Sequence, residues 1–174
     1  MKNKKCLIAY FSHRGENYVK GNIVDLKVGN TEIVAKMIAD YTQGELFHIE
    51  KKEKYPFEYR KTVEAAKAEY KAAARPVLTA AVENINKYDV IFVGYPNWCG
   101  TMPMPVWTFF DSYDFSGKVL IPFCTHEGSG MGNSEKDIKK LCPDADIRPG
   151  KAILGNAAAD ANEEIAEWLS KVLV

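Results

Sequence analysis

Two stretches near the N-terminus carry side chains that suit the binding of a phosphate group. A loop after the first apolar run contains Ser12, His13 and Arg14, and a predicted helix opens further along with Asn30 and Thr31. Hydroxyl and amide donors beside a helix N-terminus favour an anion, because backbone N–H groups and the helix dipole point at it. The structural alternatives are that Asn30 only caps the helix and that Arg14 is solvated.

The segment 96–100 suits a flat ring instead. Its candidate residues are Pro96, Asn97, Trp98, Cys99 and Gly100. Trp98 follows a predicted strand end, where an indole can stack on a planar ligand or meet its edge while backbone N–H groups meet the polar rim. The alternative is that Trp98 is buried and anchors the loop. For Cys99 we expect the role of a small apolar neighbour of the ligand.

A third loop, 125–130, also suits a planar ligand. Its candidate residues are Thr125, His126, Glu127, Gly128 and Gly130. Glycines there allow the backbone to approach a ligand closely. His126 and Glu127 either influence proton transfer or form a surface pair. The run Gly-Ser-Gly-Met-Gly at 128–132 is similar to a dinucleotide fingerprint, but it follows the fourth predicted strand and lacks the acidic ribose partner, so we reject that interpretation.

Apolar runs of strand length alternate with segments of helical period, which predicts βαβ units and a parallel sheet. The predicted strands cover residues 5–11, 45–50, 88–94 and 118–123, with a broken fifth strand at 147–154. The first predicted helix begins near Thr31 and ends before Gly44. Four more predicted helices cover residues 55–75, 105–113, 134–141 and 161–174. In a sheet of order 2-1-3-4-5, ligands bind at the carboxyl ends of the strands, between the first and third strands. Three separate loops thereby become one predicted site.

Composition excludes several classes of function. The 174 residues contain 23 basic and 23 acidic side chains, and a net charge of zero argues against nonspecific nucleic-acid binding and against a polybasic membrane surface. No apolar run reaches the roughly 20 residues that span a bilayer, and the basic N-terminus lacks a signal-peptide cleavage site. The four cysteines show no Cys-x-x-Cys or zinc-ligand spacing. We therefore expect reduced thiols, no metal, a cytoplasmic location and one domain over residues 1–174.

The chain resembles the flavodoxin-like family of FMN-binding proteins over almost its whole length. The resemblance is carried by Tyr-Phe-Ser at 10–12, Gly-Asn-Thr at 29–31, Gly-Tyr-Pro-Asn-Trp at 94–98 and the loop 125–130. It implies an α/β, doubly wound, three-layer sandwich with a five-stranded parallel sheet, and FMN as cofactor. The phosphate would be held by Ser12, His13, Arg14, Asn30 and Thr31. The segments 96–100 and 125–130 would flank the flavin ring.

Two features depart from the family pattern. Residues 16–28 are inserted between the phosphate-binding stretches, so Asn17, Tyr18 and Asn22 could add ligand contacts or form a lid. Electron-carrying flavodoxins are usually acidic, whereas this chain is neutral. The neutral charge weakens the role of electron carrier. The three convergent loops nevertheless predict a redox protein that transfers electrons through bound FMN to a partner protein. The alternative is an NAD(P)H-dependent FMN quinone reductase acting on nicotinamide and quinone substrates.

Neither function requires a side chain that does covalent chemistry, so no catalytic residue is predicted. A phosphotransfer receiver domain has the same strand order, but Ser12-His13 and Tyr95-Pro96 stand where its acidic residues would be, and we reject it. An interaction module without flavin remains an alternative. The sequence leaves the oligomeric state open.

Overall fold

The computed structural model describes residues 4–174. Residues 1–3, which the sequence analysis included in the predicted domain and in the basic N-terminus, lie outside the described part. Its centre is a parallel sheet of six strands: β1 (Cys6–Tyr10), β4 (Glu45–His48), β5 (Val90–Pro96), β6 (Val119–His126), β7 (Asp146–Ile147) and β8 (Lys151–Leu154). The strands lie in the order β4-β1-β5-β6, and β7 and β8 both pair with β6. This confirms the predicted order 2-1-3-4-5, with the fifth strand in two pieces.

Pro122 explains why the fifth strand is broken. The Leu120 carbonyl accepts a hydrogen bond from Arg148 N at 2.9 Å, on the side of β6 that faces the fifth strand. Backbone polar groups two residues apart point to the same side of a strand, so Pro122 faces the fifth strand too, and it has no N–H to donate. A Cβ added at Gly150 would lie 2.9 Å from Pro122 Cγ. The ladder therefore stops at β7 and resumes at β8.

In the part of the chain that the structure describes, five α-helices flank the sheet: α1 (Asn30–Thr42), α2 (Tyr59–Lys71), α3 (Met104–Asp111), α4 (Ser134–Leu141) and α5 (Asn162–Val172). Short 3₁₀ helices cover Ile85–Lys87 and Gly155–Asp160. Helices α1 and α5 bury their apolar faces against one side of the sheet, whereas α3 and α4 cover the other side. Within residues 4–174, no helix is both long and apolar enough to cross a membrane.

Helix α2 is shorter than the predicted span of 55–75. It begins at Tyr59, since Pro56 lies just before it, and Ala73 stops it by adopting a positive φ of 47°. Tyr55 therefore lies in the loop before the helix. Its hydroxyl donates a hydrogen bond to Glu69 of α2, and its ring contacts Trp98.

The inserted residues form a β-hairpin, which the sequence analysis did not predict. Its antiparallel strands are β2 (Gly15–Val19) and β3 (Asn22–Leu26). Lys20 and Gly21 connect them with φ values of 47° and 85°. Two positive φ values in a two-residue connection are typical of a type I′ turn, whose twist matches that of paired strands.

Candidate functional site

The three predicted loops meet around one cleft of about 440 Å³, a volume within the usual range for cofactor pockets. The predicted residues that line it are Ser12, His13, Asn17, Asn30, Thr31, Pro96, Asn97, Trp98, Cys99, Thr125, His126 and Glu127. Four predicted residues are outside the lining: Arg14, Gly100, Gly128 and Gly130. The cleft lies where β1, β5 and β6 end, as expected from the strand order.

One end of the cleft is rich in hydroxyl groups. Thr31 Oγ1 and Thr125 Oγ1 are 2.7 Å apart and share a hydrogen bond, which joins the start of α1 to the end of β6. Both threonines are buried, at 2% and 4% exposure. Because a hydroxyl pair has two protons and uses only one between its oxygens, the second proton remains available for a ligand.

Ser12, not Asn30, caps helix α1. The Ser12 hydroxyl accepts a hydrogen bond from Glu32 N at 3.1 Å, while the N-cap position is Gly29 and Asn30 is the first helical residue. The expectation that Asn30 caps the helix is therefore wrong. A Cβ at Gly29 would overlap Ser12 Oγ and lie 2.7 Å from the His13 carbonyl oxygen, so this close approach requires glycine.

Arg14 points to a carboxylate outside the cleft lining. Its guanidinium forms an ion pair with Glu32, with 3.0 Å between Nη2 and Oε2, and its side chain is 61% exposed. Burial acts to raise the pKa of Glu32, but hydrogen bonds from Lys36 and Arg14 outweigh it and lower that pKa. An anion at the start of α1 therefore meets neutral hydroxyl, amide and backbone donors first.

The Trp98 side chain lines the cleft and is also part of an aromatic cluster. Its ring centroid lies 5.2 Å from that of Phe11, 5.1 Å from that of Tyr55 and 5.8 Å from that of His13, all in edge-on geometry. Trp98 and Thr101 exchange two backbone hydrogen bonds of 3.0 Å. The indole is thus fixed in orientation by its neighbours, while part of it remains open to the cleft.

Residues 99 and 100 form the turn that holds Trp98 in place. Cys99 and Gly100 have φ values of 55° and 74°, as a tight two-residue turn requires. Gly100 therefore shapes the loop without lining the cleft. Cys99 is a free thiol that does line it, and partial burial raises its pKa.

Asn97 connects the second and third loops. Its side-chain amide donates to the Gly130 carbonyl at 2.8 Å, and its backbone N–H donates to the Thr125 carbonyl at 2.9 Å. Gly128 N in turn donates to His126 Nδ1 at 2.9 Å. The two glycines have positive φ values of 134° and 59°, so the structure assigns them to the shape of this loop.

His13 lies among the aromatic rings, although it was predicted beside a phosphate. Its ring meets those of Trp98 and Tyr55 edge-on, and burial lowers its pKa. Its Nε2 is buried and has no hydrogen-bond partner among residues 4–174. The imidazole is therefore neutral near pH 7.

The cover of the cleft consists of the hairpin together with one face of α2. The sequence analysis offered the inserted residues as a lid, and Asn17 and Tyr18 line the cleft whereas Asn22 does not. It missed Glu16 and the α2 face, whose lining residues are Tyr59, Thr62, Val63, Ala66 and Lys67. Three of them, Val63, Ala66 and Lys67, recur at the spacing of one helix face. That stripe in an otherwise charged helix was the available signal.

The hairpin is attached at both ends. At its base, Glu16 N donates to the Phe57 carbonyl at 3.0 Å and the Glu16 carboxylate accepts from Tyr59 N at 2.8 Å. At its tip, Lys20 N donates to Glu127 Oε2 at 3.1 Å. The hairpin thus bridges from the start of α2 to the loop after β6 and lies over the cleft.

Comparison with known proteins identifies the family. A sequence model of the flavodoxin family matches residues 5–172. The chain belongs to the flavodoxin family. The match confirms the resemblance found in the sequence, and with it the prediction of an FMN-binding flavoprotein. None of the curated proteins matches the chain.

Solved structures share the fold of this flavodoxin-family chain. A flavoprotein from Bacteroides eggerthii is 28% identical, with 99% of each chain covered and a TM-score of 0.79. A flavoprotein from Bacteroides uniformis is 26% identical over 97% of this chain and 99% of its own, with a TM-score of 0.76. A Lactobacillus acidophilus flavoprotein in complex with FMN has the same fold at 19% identity, covering 92% of this chain and 99% of its own (TM-score 0.66).

Proposed function

We propose that FMN binds in the cleft with its phosphate at the hydroxyl-rich end and its ring beside Trp98, and that the protein transfers electrons through it. The observation that carries this proposal is the polarity of the cleft: helix-start donors at one end and an oriented indole at the other. Gly155 lets two lining residues come close to the backbone, because a Cβ there would overlap Glu127 Oε1 and lie 2.6 Å from Asn30 Nδ2.

At the phosphate end, the chain binds an anion with neutral donors. The backbone N–H groups at the start of α1 and the second proton of the Thr31–Thr125 pair belong to residues that line the same cleft, so both can donate to one anion. Ser12 holds the helix start by accepting from Glu32 N. With Arg14 already paired, these neutral groups fix the position of the phosphate, and its charge is stabilised by the helix dipole.

At the ring end, the chain orients the cofactor and excludes water. FMN, when bound, supplies electron or hydride transfer. Trp98 supplies a flat wall whose tilt is fixed by Phe11 and Tyr55. The Asn97 side-chain amide donates to Gly130, and the backbone N–H groups of Asn97 and Trp98 donate to Thr125 and Thr101. Pro96 has no N–H, so the backbone N–H groups of Cys99 and Gly100 are the donors of segment 96–100 left for the polar rim of the ring. His13 contributes a neutral edge.

One observation favours the second candidate, an NAD(P)H-dependent FMN quinone reductase. The hairpin and α2 cover the cleft, and Tyr18 stacks on Tyr59 with ring centroids 6.2 Å apart. Such a cover suits a flat, small substrate that slides between aromatic surfaces better than it suits a docked protein. The neutral charge of the chain points the same way. We also propose the cytoplasm as the location, and either a redox partner protein or nicotinamide and quinone substrates as the partners.

Two measurements, made one after the other, test the proposed function. Purified protein should be yellow, or the FMN-free protein should bind added FMN at micromolar concentration, with quenching of flavin fluorescence. Absence of binding at that concentration would refute the proposal. Stopped-flow mixing with NADH and NADPH then separates the two candidates. Rapid bleaching of the flavin absorbance by either nucleotide supports the reductase, whereas reduction only by a reduced partner protein supports the electron carrier.

A further inference from the structure

The charged side chains that line the cleft differ in whether another group of the protein binds them. The carboxylates of Glu16 and Glu127 each accept a backbone hydrogen bond, from Tyr59 N and Lys20 N. Lys67 is the one lysine or arginine in the lining formed by residues 4–174. It has no ion pair with any carboxylate in that part of the chain. Among residues 4–174, the cleft thus contains one positive charge that is not paired with a carboxylate.

The position of Lys67 places that charge at the ring end. It lies on the face of α2 that carries Val63 and Ala66, and it lines the same cleft as Trp98 and Cys99. Ala66, its neighbour in the chain, also borders a second, smaller recess together with Trp98 and Cys99. Burial raises the pKa of the Cys99 thiol, and the positive charge of Lys67 acts in the opposite direction. The hydroxyl-rich phosphate end has no such cation, because Arg14 is paired with Glu32.

We propose that Lys67 stabilises the negative charge that the flavin ring gains on reduction, and so raises the midpoint potential of the bound cofactor. A flavin ring that takes up two electrons and one proton carries one more negative charge than the oxidised ring. A nearby ammonium group binds that product more tightly than the oxidised form, and charge near the ring is one of the ways in which proteins tune flavins. The inference rests on the proposed function, because it requires the ring to lie beside Trp98.

The expected effect is moderate, because Lys67 is an exposed side chain and its charge is screened by solvent and salt. We expect Lys67→Gln to weaken binding of reduced FMN about tenfold relative to oxidised FMN, which corresponds to a potential lower by about 30 mV for a two-electron couple. Lys67→Glu should lower the potential further. Lys67 is on the surface of α2, so neither substitution removes a buried contact.

The experiment is a reductive titration with dithionite and a reference dye on the FMN-loaded protein at low and high salt. Lys61→Gln is the matched control, since Lys61 is on the same helix, is 64% exposed and lies outside the cleft lining. A lower potential in Lys67→Gln alone, with a difference that shrinks at high salt, supports the inference. Equal potentials in wild type and Lys67→Gln at low salt, with FMN bound to both, would overturn it. A wild-type protein that binds no FMN would instead refute the proposed function.

Discussion

Replacing Thr31 or Thr125 by valine should weaken both folding and FMN binding, because the two hydroxyls share one buried hydrogen bond. Their oxygens are 2.7 Å apart, and both side chains are almost fully excluded from solvent. Valine has nearly the same shape as threonine, so each substitution removes the hydroxyl with little loss of packing. The remaining hydroxyl is then left in the interior without its partner.

The size of the effect follows from that geometry. A lost hydrogen bond that leaves a buried polar group unsatisfied costs about 1–3 kcal/mol. For a chain of this length, each kcal/mol lowers Tm by roughly 2–4 °C. The double variant removes donor and acceptor together, so it should be more stable than the sum of the two single changes predicts, by about 1 kcal/mol. If the free proton of the pair donates to the phosphate, FMN binding should weaken roughly 10- to 150-fold, the equivalent of about 1.5–3 kcal/mol.

Urea denaturation of the FMN-free protein measures the free energy of unfolding for wild type, both single variants and the double variant. Fluorescence titration with FMN then gives the Kd of each. Thr108→Val is a suitable control, because Thr108 donates only to the Met104 carbonyl of its own helix and lies outside the cleft lining. Strictly additive costs in the FMN-free protein would show that the two hydroxyls do not depend on each other, and would refute the argument.

Three further predictions address other parts of the cleft. Gly29→Ala should weaken FMN binding more than tenfold and cost about 1 kcal/mol of stability, because the new Cβ displaces the Ser12 cap; a fluorescence titration with unchanged Kd would contradict this. Glu127→Ala should release the hairpin tip and speed both association and dissociation of FMN; hairpin amide exchange that matches wild type would argue against it. Burial lowers the pKa of both His13 and His48, so their contribution to stability is complete above the unfolded-state value of about 6.5 and is lost as the pH falls below it. Urea titrations at pH 7.5 and 5.5 should therefore show a smaller acid loss in His13→Gln and His48→Gln than in wild type.

The sheet and the place of the cleft could be predicted from the sequence because their signals are local. Val90 to Val93 form a continuous apolar run, which is typical of a strand covered on both faces, and all four residues are buried. Strand order then fixes where the loops meet. The broken fifth strand was also predicted, and its cause is visible in the sequence, since Pro122 in a strand with neighbours on both sides removes a ladder hydrogen bond.

Other features depend on contacts between distant parts of the chain. The hairpin has no apolar face that packs in the main core, and its hydrogen bonds lead to Phe57 and to Glu127, far along the sequence. Helix α1 is capped by Ser12, which precedes it by a whole hairpin, so the local rule that favours Asn30 fails. Arg14 also precedes the hairpin, and the fold brings it to Glu32 of α1, with which it forms an ion pair. Pairings of this kind are set by the fold and leave no local pattern.

The interruption of the fifth strand has a consequence for how the molecule behaves at high concentration. A long, regular outer strand presents a row of free N–H and C=O groups on which the strand of a neighbouring molecule can add. Here the outer strand on that side is divided into pieces of two and four residues, with Pro149 and Gly150 between them. The opposite outer strand, β4, has only four residues. The proline inside β6 thereby helps to keep the sheet from growing beyond one chain.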